Sequence, residues 1–300
     1  MRRALAPRVA AAFVAAVLLA ACLRIDDFFF TGEPIDGYRW DEASPELEGD
    51  LTEPHASIVP ASDRVEGFVT LATGAEVHWV LARREGAAAT LIYAHGAGPH
   101  LGRFWDRVER LWSLGYQVLV YDYPGYGRST GAPSEAALYQ AADAIWDEVV
   151  PARAEIDPER TLLYGYSLGG APTFHLAART AREARRPRGV IAESVWCSIE
   201  AQIQDAAFIG ISRELLARLE LDNCARIAEL APDVPVTLLS GTEDRITSPR
   251  QMRLLEAATS GPVRLVVVEG AAHADIPLVA GERYDGWIDE AVRGALAASP

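Results

Sequence analysis

Short apolar runs alternate with helical patterns along most of this chain, and this alternation predicts an α/β fold. Continuous runs of Val, Ile, Leu and Tyr are typical of strands that are buried on both faces. Helices between such strands imply a mostly parallel central sheet with helices on both faces. Ahead of these runs, residues 64–73 and 76–83 flank a Thr73-Gly74 turn and predict an antiparallel hairpin. The predicted parallel strands are 90–94, 117–121, 161–166, 189–193, 236–240 and 263–268.

Amphipathic patterns between these runs predict the connecting helices. One helix is expected to begin after Ser248, because Pro249 suits the first helical position and Gln251 the third, as in a capping box. We find no internal repeat and no low-complexity tract, so residues 64–300 are predicted to form one domain. The other predicted helices cover residues 103–114, 135–150, 168–180 and 284–297.

The charge balance excludes several classes of function. The 300 residues include 42 acidic and 28 basic side chains, which gives a formal net charge of −14. A nucleic-acid-binding protein needs a basic face, so no nucleic-acid partner is expected. All 28 basic residues are Arg, and the chain therefore has no Lys for a Schiff base or a phosphate-binding loop. Three Cys without paired spacing predict neither a disulfide scaffold nor a zinc site, and no metal or cofactor is implied.

Residues 1–21 are predicted to be a lipoprotein signal peptide. A basic start is followed by the apolar run 9–21, which is shorter than the about 20 residues needed to span a bilayer. The run ends in Leu19-Ala20-Ala21-Cys22, which resembles the lipobox of bacterial lipoproteins, so Cys22 is the expected lipidation site. Leu23 in place of Asp after this Cys favours the outer membrane, on its periplasmic side. An ordinary cleaved signal, or an uncleaved anchor with an incidental Cys, is the alternative.

Residues 22–63 differ in composition from the rest of the chain. They are rich in Asp and Glu, and four Pro between 34 and 60 oppose helix formation. One interpretation is a tether that holds the folded body off the membrane. The other is irregular structure that packs along the domain, with the aromatic residues 28–30 and Trp40 docked on the body.

The most informative motif lies in residues 162–170, which read LLYGYSLGG. A strand runs directly into Gly-x-Ser-x-Gly and then into a helix, which is the context of a nucleophile elbow. Ser167 is expected to sit in a tight turn with positive φ that exposes its hydroxyl above the sheet. Gly165 and Gly169 are expected to be required because a Cβ at either position would clash across the turn.

Residues 64–300 resemble the α/β-hydrolase superfamily, and most closely its Bem46-like and acyl-protein-thioesterase-like branch. The resemblance rests on His95-Gly96-Ala97-Gly98, on residues 121–131 (YDYPGYGRSTG) and on the elbow. The chain departs from that branch at Ala97, where Asn is common, although a backbone amide can still donate there. The resemblance implies the α/β-hydrolase fold with a short helical lid at about 195–233.

The resemblance also implies the order nucleophile, acid, base along the chain. Asp244, which follows the fifth parallel strand, is the expected acid, and its neighbour Glu243 could be mistaken for it. His273 follows the last strand and is the only His beyond Asp244, so it is the expected base. Backbone N–H groups of Ala97 and Leu168 are the expected oxyanion hole.

Other polar residues are assigned structural roles. His95 is expected to be structural and His175 to be a packed core residue. His100 is expected to be a polar surface residue, and contact with substrate is the alternative. In the glycine-rich turn after the second parallel strand, Asp122 and Arg128 are expected to brace the backbone. Binding of a carboxylate substrate by Arg128 is the alternative.

The expected activity is hydrolysis of carboxylic esters or thioesters by a serine hydrolase tethered to the bacterial envelope. The expected substrate is a small or acylated molecule, and the protein is expected to be a monomer. A serine peptidase or amidase of the same fold is one alternative, and a non-catalytic binding lipoprotein is another. Within the lid, Cys197 and Cys224 are either bridged, as an oxidising compartment allows, or two buried free thiols.

Overall fold

The computed structural model describes residues 29–42, 51, 53–207 and 219–298. Cys22, the predicted signal peptide and the apolar lid residues Phe208, Ile209, Ile211, Leu215 and Leu216 lie outside the described residues. No helix in the described part of the chain is long and apolar enough to cross a membrane.

An eight-stranded sheet forms the centre of the fold, in the order β1-β2-β4-β3-β5-β6-β7-β8. The first hairpin is antiparallel, β2 pairs antiparallel with β4, and all other neighbours are parallel. The predicted α/β fold is therefore confirmed, and the six predicted parallel strands are confirmed to within one residue at each end. The strands are β1 (Arg64–Thr70), β2 (Glu76–Ala82), β3 (Thr90–Ala94), β4 (Gln117–Tyr121), β5 (Thr161–Tyr166), β6 (Val190–Glu193), β7 (Val236–Gly241) and β8 (Val263–Val268).

Helices cover both faces of this sheet. Alternate residues of β4 belong to two separate apolar clusters, with Leu119 and Tyr121 on one side and Val118 and Val120 on the other. This alternation follows from the period of two in a strand and explains why the four residues after Gln117 are all apolar. The main helices are α1 (Trp105–Ser113), α2 (Glu135–Ala144), α3 (Gly170–Arg179), α4 (Ile199–Ala207), α5 (Asn223–Ile227), α6 (Pro249–Ala258), α7 (Ile276–Ala280) and α8 (Glu282–Ala297).

Helix boundaries were less predictable than strand boundaries. The predicted helix 135–150 is interrupted, because α2 passes into a π-helical segment, Ile145–Val149, before a last turn at Val150–Ala152. The capping box at the start of α6 is wrong. The Ser248 hydroxyl makes no cap and instead donates to Asp205, 43 residues away, to which the Gln251 amide also donates.

The described residues of 22–63 pack along the domain, so the interpretation as a free tether is wrong for them. We call residues 29–42 the N-terminal strap. The Tyr38 ring stacks on the Trp40 ring with 4.7 Å between their centres, and the centre of the Trp40 ring lies 4.3 Å from that of Trp105 of α1. The Tyr38 hydroxyl donates to the buried carboxylate of Asp122. The folded domain therefore begins before residue 64.

Candidate active site

Ser167, Asp244 and His273 follow three strands of the sheet, β5, β7 and β8. These strands are parallel to one another, so their carboxyl ends meet at one edge. Loops at this edge of an α/β sheet are where ligands usually bind. The structure accordingly brings together three side chains that are separated by up to 106 positions in the sequence.

The turn that carries Ser167 has the strained conformation that its motif predicts. Ser167 has φ of +51°, which is unfavourable for a residue with a Cβ. A Cβ on Gly169 would lie 1.9 Å from the carbonyl oxygen of Ala94, and one on Gly165 would lie 2.6 Å from the Thr173 hydroxyl. The neighbouring strand β3 and helix α3 therefore leave room only for glycine at these two positions.

The three side chains form a continuous hydrogen-bonded chain. His273 Nε2 lies 3.0 Å from Ser167 Oγ, and His273 Nδ1 lies 2.9 Å from Asp244 Oδ2. The Asp244 side chain is fully buried, whereas Ser167 and His273 are slightly accessible from the cleft. Glu243, the neighbour that could be mistaken for the acid, is exposed. This arrangement lets an imidazole take a proton from the hydroxyl while the carboxylate orients the ring.

Thr247 also belongs to this site, although no sequence motif indicated it. Its hydroxyl lies 2.8 Å from Asp244 Oδ2 and 3.0 Å from His273 Nδ1, and its backbone N–H donates to Asp244 Oδ1 at 2.7 Å. Burial opposes ionisation of Asp244, but its contacts with His273 and Thr247 outweigh burial and hold the pKa of the carboxyl below its usual value. Asp244 is therefore a carboxylate at neutral pH.

A cleft of about 550 Å³ opens in front of Ser167. Its floor is formed by Ser167, His273 and Tyr166, and the His-Gly loop contributes Ala97 to one wall. Leu168 lies in the 3₁₀ turn that opens helix α3, directly after Ser167. Both backbone amides proposed for the oxyanion hole thus belong to segments that border the cleft.

The N-terminal strap forms a second wall of this cleft, which sequence reasoning missed. Thr31 and Glu33 line it directly. The Glu33 N–H donates to the Pro99 carbonyl at 2.9 Å, and the Glu33 carbonyl accepts from Gly127 N–H at 2.9 Å. The strap is therefore hydrogen-bonded both to the His-Gly loop and to the glycine-rich turn. Its exposed carboxylate, Glu33, places a negative charge at the mouth of the site.

The structure decides between the alternatives for the other polar residues. Arg128 donates to Glu66 at 2.9 Å and its backbone N–H faces Asp122, which fits the bracing role. His95 is fully buried, and burial lowers its pKa to about 4, so it is neutral and structural as predicted. His100 is buried against Tyr38, and its predicted surface position is wrong.

His175 is half-buried rather than in the core. It lies 3.1 Å from Asp143 and stacks on Tyr139 at 4.4 Å. The two remaining cysteines, Cys197 and Cys224, form a disulfide that joins the start of the lid to helix α5. Among the residues that the structure describes, no group of His, Cys, Asp or Glu side chains is arranged to hold a metal ion.

Comparison with known proteins is consistent with this geometry. Residues 85–221 match the family described as serine aminopeptidase, S33. The α/β hydrolase domain-containing protein 17B of Xenopus tropicalis is 31% identical over 221 residues, which cover 72% of each chain. The uncharacterized protein YfhR of Escherichia coli K12 is 30% identical over 191 residues, and the matched part spans 65% of its length.

Solved structures share the architecture at lower identity. The esterase Pf2001 of Pyrococcus furiosus superimposes with a TM-score of 0.64 at 17% identity, over 86% of this chain and 98% of that one. The hydrolase GrgF of Penicillium gives a TM-score of 0.62 at 16% identity, over 78% of this chain and 99% of that one. With its sheet order, its elbow and these relatives, the chain belongs to the α/β-hydrolase superfamily.

Proposed function

We propose that the protein is a serine hydrolase that cleaves carboxylic ester or thioester bonds through Ser167, His273 and Asp244. The observation that carries the proposal is the hydrogen-bonded chain from Asp244 through His273 to the hydroxyl of Ser167. A serine hydroxyl is a weak nucleophile at neutral pH and needs an adjacent base. Here the base lies within hydrogen-bond reach, and a buried carboxylate orients it.

The proposed reaction proceeds through an acyl-enzyme. Ser167 Oγ attacks the carbonyl carbon while His273 takes its proton, and the resulting oxyanion accepts hydrogen bonds from the N–H groups of Ala97 and Leu168. His273 then returns the proton to the leaving alcohol or thiol as its bond to the acyl carbon breaks. A water molecule repeats the sequence and releases the acid. One oxyanion donor is typically worth about 10²–10³ in rate.

Covalent labelling with a fluorophosphonate probe tests the nucleophile. The purified mature protein is expected to be labelled, and Ser167→Ala is expected to lose labelling while it keeps the parent's melting temperature. A folded parent that is not labelled would contradict the proposal and favour a non-catalytic binding protein. Labelling that survives in Ser167→Ala would place the nucleophile elsewhere.

A serine peptidase or amidase is the second candidate, because residues 85–221 match the family described as serine aminopeptidase. The same triad serves both reactions, and the two differ in the leaving group. A matched pair of substrates, an ester and an anilide of one acyl group, separates the candidates. Hydrolysis of the ester alone supports the esterase proposal, and comparable kcat/KM values for both would favour the amidase.

The proposal includes attachment to the bacterial envelope through a lipid on Cys22, with outer-membrane location. It is supported by the lipobox-like sequence before Cys22 and by the apolar run 9–21. An alkyne analogue of palmitate, fed to expressing cells, is expected to label the parent but not Cys22→Ala. The variant is expected to leave the membrane fraction, and equal labelling of both proteins would contradict lipidation.

A further inference from the structure

A buried cation lies directly behind the catalytic cleft. Arg107 on α1 is 1% exposed, and its Nη1 lies 3.1 Å from Oε1 of Glu193 at the end of β6. Glu193 is equally buried; it accepts a hydrogen bond from the Tyr164 hydroxyl, and the Tyr284 hydroxyl lies 3.1 Å from the same oxygen. Burial disfavours the charged guanidinium, but Glu193 and the surrounding tyrosines Tyr166, Tyr93 and Tyr164 together outweigh this and raise the pKa of Arg107. Two hydroxyl groups thus position Glu193, and Arg107 pairs with it as an ion pair.

The remaining contacts of Arg107 reach the loop that carries His273. Its Nη2 donates to the carbonyl oxygen of Ala274 at 2.7 Å. Its guanidinium lies over the ring of Tyr166, 4.0 Å from the ring centre. The Tyr166 hydroxyl in turn lies 3.4 Å from the carbonyl oxygen of His273. The backbone carbonyls of two successive loop residues therefore face side chains from α1 and from the elbow.

These contacts matter because the loop lacks regular structure between β8 and α7. Its position therefore depends on individual contacts, such as the hydrogen bond from the Glu243 N–H to the Ala271 carbonyl at 2.8 Å, rather than on a repeating backbone pattern. His273 must reach Ser167 and Asp244 at the same time, within 3.0 Å and 2.9 Å. A shift of about 1 Å in such a residue can lower the rate about 100-fold.

We propose that Arg107, supported by Glu193, is the positioning residue for the general base His273. The inference rests on the proposed function, since it takes His273 as the base. The planar guanidinium pairs with Glu193 through Nη1 and donates to the Ala274 carbonyl through Nη2, while it stacks on the ring of Tyr166. A lysine ammonium carries the same charge but is a compact point charge on a flexible stem, so it does not combine these contacts.

Two variants of the full chain test the proposal. Arg107→Lys keeps the charge, and the double variant Arg107→Met with Glu193→Gln removes both charges together, so that neither is left buried and unpaired. Arg110→Met is the matched control. Arg110 lies one helical turn further along α1, donates to the Gly281 carbonyl at 2.8 Å, pairs with Asp285 at 2.7 Å and lies 5.2 Å from the centre of the Tyr284 ring; these partners belong to the region after the His273 loop.

The readouts are kcat and KM for p-nitrophenyl butyrate, the pH profile of kcat/KM, and the melting temperature. We expect kcat to fall about tenfold in Arg107→Lys and about 100-fold in the double variant, with KM within about twofold of the parent. The acidic limb of the pH profile is expected to move in both, because the contact of His273 with Asp244 changes. Arg110→Met is expected to melt earlier but to keep the parent's kcat and pH profile.

Three results would overturn the inference. One is a folded double variant with kcat within about twofold of the parent. Another is an equal loss of kcat in Arg110→Met, which would reflect general destabilisation. The third is loss of folding in both Arg107 variants, which would assign Arg107 to folding rather than to positioning. An inactive, unlabelled parent would instead contradict the proposed function itself.

Discussion

Replacing Thr247 by Val removes a hydroxyl that touches two members of the proposed triad, and it leaves the size of the side chain nearly unchanged. The hydroxyl lies 2.8 Å from Asp244 Oδ2, 3.0 Å from His273 Nδ1 and 2.9 Å from the carbonyl oxygen of Ser194. It carries one proton, which can be donated either to Asp244 or to Ser194. We predict that Asp244 receives it and that Thr247→Val therefore weakens catalysis.

The expected size of the effect follows from the number of donors around Asp244. Its carboxylate accepts from the N–H groups of Ile246 and Thr247 at 2.9 Å and 2.7 Å, from His273, and from the Thr247 hydroxyl. A hydrogen bond to a charged group contributes about 1.5–3 kcal/mol. Because three donors remain in the variant, we expect the low end of that range. A loss of about 1.4 kcal/mol corresponds to a tenfold lower rate.

The assay compares the parent, Thr247→Val and Thr247→Ser. The measured quantities are kcat/KM for p-nitrophenyl butyrate and the second-order rate of fluorophosphonate labelling. The Val variant is expected to lose about tenfold in both, and the Ser variant, which keeps the hydroxyl, to stay within about twofold. Equal rates for the parent and the Val variant would refute the reasoning and show that the hydroxyl donates to the Ser194 carbonyl instead. Equal losses in both variants would assign the effect to altered packing around residue 247 rather than to the hydroxyl.

Further predictions concern stability and the cleft wall. Reduction of the disulfide between Cys197 and Cys224, separated by 27 positions, should lower the free energy of unfolding by about 3.5 kcal/mol in the chain-entropy model. Calorimetry with and without reductant measures this, and an unchanged melting temperature would indicate free thiols. Gly32→Ala would place a Cβ 2.6 Å from the Tyr126 ring and so displace the strap. Because the strap lines the cleft, KM should change more than kcat. An unaltered KM would contradict the role of the strap as a wall of the cleft. Burial opposes ionisation of Asp122, but its hydrogen-bond donors lower its pKa. The stability that Asp122 contributes is thus present above its unfolded pKa of about 3.9 and is lost as the pH falls through its lower folded value. An acid titration followed by tryptophan fluorescence should show strap release below about pH 3.9, whereas release above about pH 5 would contradict this assignment.

Most of the sheet could be predicted from the sequence because its six inner strands, β2 to β7, are buried on both faces. Four of the five residues of β4 are accordingly apolar, and such a run is visible without knowledge of its neighbours. The elbow was predictable because its residues stand together in a five-residue motif, Gly-x-Ser-x-Gly, directly after a predicted strand. The contact that excludes a Cβ at Gly169 is not local, since the Ala94 carbonyl of β3 makes it.

The features that were missed, or left as one of two alternatives, depend on contacts between distant parts of the chain. The strap contains Pro and acidic residues that favour an extended segment, and only the positions of Asp122 and Trp105 show that its Tyr38 and Trp40 have binding partners. The capping box failed because Asp205, on another helix, competes for the Ser248 hydroxyl. Residues chosen by long-range packing carry no periodic signature.

Strand β6 illustrates why such residues matter for the site. It contributes no member of the proposed triad, yet it lies between β5 and β7, the strands that precede Ser167 and Asp244. Its last residue, Glu193, holds Arg107, which contacts the loop after His273. The next residue, Ser194, has φ of +51° and turns its carbonyl to the hydroxyl of Thr247, beside the acid. Two successive residues, the last of β6 and the one after it, thus contact Arg107 beside the His273 loop and Thr247 beside Asp244.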